Sequence, residues 1–288
     1  MAASPAHTFG QYLGNILEAL FLPELATFCE GRGLYVDCHG DRPGIRTGKK
    51  ATWVDKYGNK HDLDFVVEKN ASATVQGRPL AFIEAAWRRY TKHSRNKAQE
   101  IQGAVLPIAE TYSWDKPFLG AVLAGHFTAG SLQQLKSLDF HVVYIPYTSM
   151  VQIYAQNGVN IAFDETTPES HYTEVLSKIS HGGAALQLAI ISGLRAAHRV
   201  QIDEFLEKLK KKLLRHVENI SIIPLFGKEY EFNTVAEVVS FINSHTPLNT
   251  DGAFRRYEII VKYSNGDKLE ASFSDKSEAE RFLNYAAA

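Results

Sequence analysis

The chain has 288 residues, of which 45% are hydrophobic and 22% charged, enough apolar material for a large core and not the composition of a disordered chain. A formal net charge of −1 excludes a globally basic surface, so any anion-binding site must be local. Two cysteines, Cys29 and Cys38, cannot supply a Cys-rich zinc site, and the absence of a charged-then-apolar leader or a run of about 18 apolar residues predicts a cytoplasmic chain with free thiols and no membrane contact.

Phe9, Tyr12, Leu13, Ile16, Leu17 and Leu20 recur at helical spacing and predict a first amphipathic helix, which Pro23 interrupts or restarts. Residues 34–38 read as a short strand and 41–50 as a Gly- and Arg-rich loop. Segments 52–55 and 63–68 are expected to pair around the Tyr57-Gly58-Asn59 turn. A further strand spans 80–87, and Ser94 is suited to cap a helix that Pro107 kinks or shortens.

From there strands and helices alternate. The apolar run FLGAVLAG suits a central strand covered on both faces. SLQQLKSL is helical, FHVVYIP a second buried strand, 149–156 a helix and IAFDE a third strand, after which Pro168 opens another helix. Gly182-Gly183 breaks the pattern. Beyond it Ile202, Phe205, Leu206, Leu209, Leu213 and Val217 form one helical stripe, with Lys208, Lys210, Lys211 and Lys212 mostly outward. Near the end, 232–237 and 273–278 echo each other, and Asn265-Gly266 predicts a type I′ hairpin. The expected architecture is an α/β mixed sheet flanked by helices over 1–182, with a helical segment and a small α+β appendage over 183–288.

The chemistry concentrates between residues 62 and 97. Alternation puts Asp64 on a face with Asp62 and Val66, and Glu84 on a face with Phe82 and Ala86. A carboxylate in an apolar strand is costly to bury unless it is paired or binds a metal. Two on consecutive strands suit a hard divalent cation held through oxygen. Cations follow directly: Arg88, Arg89, Lys92 and Arg95, interleaved with Trp87 and Tyr90, a mixture suited to phosphate contact and base stacking. The loop carrying Arg42, Arg46, Lys49 and Lys50 is a second basic candidate, without phosphate-loop glycine spacing.

Over roughly residues 9–165 this order resembles the PD-(D/E)xK nuclease superfamily: a first helix, an acid in LDFVVE, a second in LAFIEAAW, then a basic helix. The resemblance implies a restriction-endonuclease-like fold and a Mg²⁺-dependent DNA endonuclease, with Mn²⁺ able to substitute and Asp64 and Glu84 as metal ligands. It also implies a place in restriction or phage defence, as a homodimer or with a defence-system partner. One position departs: the lysine usually found two residues after the Glu is Ala86 here. Lys97 is the first candidate to replace it, one turn before Ile101 on the stripe Ile101, Val105, Ile108 and Tyr112; Lys92 is the second. The expected catalytic set is therefore Asp64, Glu84 and Lys97, with Arg88, Arg89, Lys92 and Arg95 on the DNA backbone. Ala86 also keeps a different reading open, a non-catalytic nucleic-acid-binding subunit that retained the fold.

Overall fold

Ser4 starts the first helix by accepting the His7 amide on its hydroxyl at 3.3 Å, and Pro5 contributes a preset φ in the first turn. That helix, α1 (Pro5–Cys29), is one element in a computed structural model that describes residues 4–90, 94–226 and 252–287. Pro23 lies inside α1 and does not end it. Leu25, Phe28 and Cys29 continue the buried stripe beyond it, and each large apolar side chain gains about 1.5–3 kcal/mol on burial, against roughly 3 kcal/mol for an interior proline.

The chain then forms β1 (Leu34–Cys38), β2 (Ala51–Val54), β3 (Lys60–Leu63), β4 (Phe65–Lys69) and β5 (Arg78–Arg88). The segment expected as one strand over 63–68 is two. β3 pairs with β2 in a separate hairpin, whereas β4 enters the main sheet between β1 and β5, and Asp64 is the bend between them. Next come α2 (Ser94–Thr111), which runs through Pro107, β6 (Phe118–Gly125), α3 (Ala129–Lys136), β7 (Phe140–Pro146) and α4 (Tyr147–Gln156). The main sheet has the order β1-β4-β5-β6-β7, antiparallel from β1 to β5 and parallel from β5 to β7. It is an α/β mixed sheet flanked by helices.

β6 is buried along its whole length, as its apolar run requires. β7 is the half-buried edge of the sheet rather than a second interior strand. IAFDE forms no strand. Tyr147 supplies its polar partners instead: the Phe163 amide donates to the Tyr147 hydroxyl at 2.9 Å, and that hydroxyl donates to the Ile161 carbonyl.

Two further helices complete the first unit, α5 (Glu169–Ala197) and α6 (Arg199–Leu213). Gly183 interrupts α5 with φ +52° and ψ −148°, as the glycine pair suggests. Ile190, Leu194 and Phe205 from these helices share a core with the α1 stripe, Phe65, Ile83 and Val122. On the opposite face Phe82, Ala86, Ala121 and Leu123 pack with Trp53, Ile101, Val105 and Leu135. Because α5 and α6 close this first core, the chain divides into Met1–Leu213 and Leu214–Ala288 rather than after residue 182.

In the second unit β8 (Val217–Phe226), β9 (Phe254–Tyr263) and β10 (Lys268–Phe273) form an antiparallel sheet of order β10-β9-β8, with α7 (Lys276–Ala287) packing through Phe282 on Ile259, Val261 and Leu269. Val217 belongs to β8, not to the preceding helical stripe. Only Gly266 in the β9–β10 turn has positive φ, +87°, so the turn is not type I′, which needs two such residues. Asn265 instead accepts the Asp267 amide on its side chain at 3.0 Å. The first copy of the expected echo, at 232–242, and Lys92 lie outside the described residues. Among the described residues no helix is long and apolar enough to cross a membrane.

Candidate functional site

β4 covers β5 only from Arg78 to Ile83. Beyond that point β5 continues through Arg88 with β6 alone beside it, Glu84 opposite Ala121 and Arg88 opposite Gly125. Asp64 stands where β4 departs. Its Oδ2 accepts the Ala85 amide at 2.7 Å, which satisfies the first main-chain donor that β4 leaves behind. Alternation along β5 puts Glu84 with Phe82 and Ala86, on the sheet face covered by α2.

Glu84 is 8% exposed, and among the described residues its Oε1 has no hydrogen-bond partner. Burial and the adjacent Asp64 charge push its pKa up to about 8; Lys97 and a hydrogen bond from the Asp64 amide oppose the rise. Asp64 is raised as well, chiefly by burial, with the Ala85 amide, Lys97 and Lys50 pulling the other way. Two carboxylates in one low-dielectric spot cannot both ionise without a compensating cation.

A third carboxylate joins them, one that the strand pattern did not single out. Glu18, on α1, is held above the usual carboxylate range by burial and by Asp64, with His39 opposing. Its sequence signal is slight: an acid between Leu17 and Ala19, on the margin of a buried helical face. Among the described residues no group of three or more His, Cys, Asp or Glu side chains is arranged as a metal-ligand set. Asp64 and Glu84 as a pair of carboxylates have the donor chemistry that Mg²⁺ uses, which keeps several waters and takes one or two carboxylates, and not that of a closed zinc site. The orphan Glu84 oxygen is the observation that favours a cation there.

Lys97 lies in the first turn of α2, its side chain 24% exposed and its Nζ 3.1 Å from Glu100 Oε2. Its charge acts on both Asp64 and Glu84. Arg88 also reaches Glu100, at 3.0 and 3.2 Å. Arg89 donates to the Tyr172 hydroxyl at 2.8 Å and stacks over the Tyr90 ring at 4.4 Å. Arg95 is exposed. The sequence thus brings Asp64, Glu84 and Lys97 to one place, with Arg88 and Arg89 braced beside them. A groove of about 530 Å³ opens between the first half of α1 and the end of β5, bordered by Ala85, Ala86, Arg88, Arg89 and Lys97.

Two of the four cations in the second basic candidate are taken up inside the protein. Arg42, 2% exposed, pairs with Glu68 and Asp37 and donates to the Ser72 and Val75 carbonyls at 3.0 and 2.9 Å. Arg46 pairs with Asp37 and donates to the Cys38 and Gly40 carbonyls. Lys50 pairs with Asp62 at 2.8 Å. Arg42 and Arg46 anchor the loop to β1 and β4, whereas Lys49 and Lys50 are exposed. Cys29 and Cys38 are free thiols, the first buried with its pKa pushed up to about 12, so it is not a nucleophile.

Comparison with family models, curated proteins and solved structures found no match to this chain. Any assignment of activity therefore rests on the site itself.

Proposed function

We propose that Met1–Leu213 is a metal-dependent nuclease of restriction-endonuclease-like fold that hydrolyses phosphodiester bonds in DNA. The observation that carries this reading is the Asp64–Glu84 pair: a half-buried and a buried carboxylate at the point where β5 loses its neighbour β4, the buried one with an orphan oxygen. Asp64 and Glu84 would hold Mg²⁺, or Mn²⁺ in its place, with Glu18 adding negative charge from the α1 side. When bound, such a cation lowers the pKa of water and neutralises charge on the scissile phosphate. Lys97, braced by Glu100, orients the attacking water and stabilises charge growing on the phosphoryl oxygens, in place of the lysine that Ala86 lacks. Arg88, Arg89 and Arg95 hold the backbone on either side, and Lys92 falls in the same run. By resemblance the biological setting is restriction or phage defence in the cytoplasm, with a second copy or a defence-system partner.

Plasmid nicking tests the reading. The wild-type chain should cleave in Mg²⁺ and not in chelator, and Asp64→Ala or Glu84→Ala should abolish cleavage while leaving the far-UV circular dichroism unchanged. Activity unchanged from wild type in both variants would remove the assignment. Ala86 favours a second reading, a non-catalytic nucleic-acid-binding subunit, which predicts binding without metal-dependent nicking by the wild type.

A further inference from the structure

Ala6, Gly10, Gly14 and Glu18 recur every fourth residue and so form one stripe along α1. Glu18 stands at the carboxylate end. From there the stripe passes Gly14 to Gly10 over about 12 Å, and both glycines line the groove beside the unpaired end of β5. Neither glycine is required by its backbone or by packing: φ is ordinary at both, and an added Cβ would meet nothing within 4 Å. Gly120 is the contrast, because a Cβ there would fall 2.7 Å from Phe205. A glycine inside a helix is destabilising relative to alanine. What Gly10 and Gly14 have in common is the open trough they border.

The trough also differs in charge from the two grooves that α6 borders. Its described lining includes Arg88, Arg89 and Lys97 and no carboxylate. The groove between β7 and α6 mixes Lys136 and Lys208 with Asp139 and Glu204. The one between α1 and α6 mixes Arg195 and Lys210 with Glu24 and Asp203. In a chain of net charge −1, a lining of this kind marks a local seat for an anion. Trp87 and Tyr90 stand among those cations. Cations that track a backbone, interleaved with aromatic faces, are the chemistry of single-strand binding. A volume of about 530 Å³ is that of a small-ligand pocket. It has room for a nucleotide or two with the base turned inward, whereas a duplex keeps its bases stacked inside a wide cylinder. Ala85 and Ala86, which line the trough, follow Glu84 directly along β5.

We propose that this trough seats one single nucleic-acid strand, laid along Gly14 and Gly10, with phosphates on Arg88 and Arg89 and a base against Trp87. The proposal rests on the nuclease reading for the choice of polymer, and it deepens that reading by making an unpaired strand the substrate.

Binding is measured in Ca²⁺ with a labelled oligothymidylate and with a labelled hairpin duplex. The single strand should bind about tenfold or more tighter than the duplex, the scale of one base stack. Gly14→Leu, which fills the trough, should lose about tenfold in single-strand affinity, with a Tm no lower than wild type, since leucine is the better helix former. A bromouracil-substituted strand, photocrosslinked to the unaltered protein and mapped by mass spectrometry, should label Trp87 or Tyr90; this arm does not depend on any variant folding. Equal or tighter duplex binding, unchanged affinity in a folded Gly14→Leu, or crosslinks confined to residues outside the trough would each overturn the proposal. Crosslinks in the trough without cleavage in Mg²⁺ would support it while removing the nuclease reading.

Discussion

Glu84 is the residue whose chemistry is most exposed to test by pH. Its folded pKa, raised from the ordinary 4.5 to about 8, means that the folded chain holds this proton more tightly than the unfolded chain does. The associated stability is fully present below pH 4.5 and is lost as pH rises toward 8. Glu84→Gln should therefore raise Tm at pH 8 and leave it unchanged at pH 4, with a gain on the order of 2 kcal/mol because the shift is shared with Asp64. Adding Mn²⁺ should raise the wild-type Tm at pH 8 and have less effect on the variant, since a bound cation takes the place of the proton. Thermal melts at the two pH values decide it; a variant less stable than wild type at pH 8 without metal would contradict it. Lys97 is tested by turnover. Lys97→Ala should lose about a hundredfold or more in kcat with DNA binding retained, and Ala86→Lys in that background should restore part of it. A loss caused by Lys92→Ala and not by Lys97→Ala would transfer the role to Lys92.

At the scale of elements, what could be read from the chain was what local pattern determines. Glu84 was placed correctly because Phe82 and Ala86 flank it on one strand face. Asp64 was legible as an acid in an apolar run but not as a bend, because the break depends on a change of partner from β2 to β1 and β5. Glu18 needed the packing of α1 against the sheet before its proximity to Asp64 had meaning. Arg42 and Arg46 misled for the same reason, since Asp37 and Glu68, which claim them, reach them only in the folded chain. IAFDE has strand composition, yet Tyr147 supplies the hydrogen bonds that a neighbouring strand would have given. The loop network makes its own prediction. Arg42→Met leaves Glu68 buried without its cation and should cost about 3–5 kcal/mol in urea unfolding, with no specific loss of nucleic-acid affinity at temperatures where the variant is folded. A selective loss of affinity would return the loop to the binding surface.

For the whole molecule, net charge of −1 means that any nucleic-acid affinity would have to come from a few residues beside the proposed site. Removing one cation that neutralises a phosphate should flatten the salt dependence of binding by about one unit. Arg95, the exposed one, should account for one such unit, and replacing Arg88, Arg89 and Arg95 together should remove about three if all touch phosphate. An unaltered slope in the triple variant would move the substrate to another face, with Lys210 and its neighbours next in line. The nuclease reading depends on Asp64 and Glu84 binding a divalent cation together, and crystals soaked in Mn²⁺ put that to the test. Anomalous difference density should appear between these two carboxylates and disappear in Glu84→Ala. At saturating Mn²⁺, density elsewhere on the chain with none between Asp64 and Glu84 would refute the shared site.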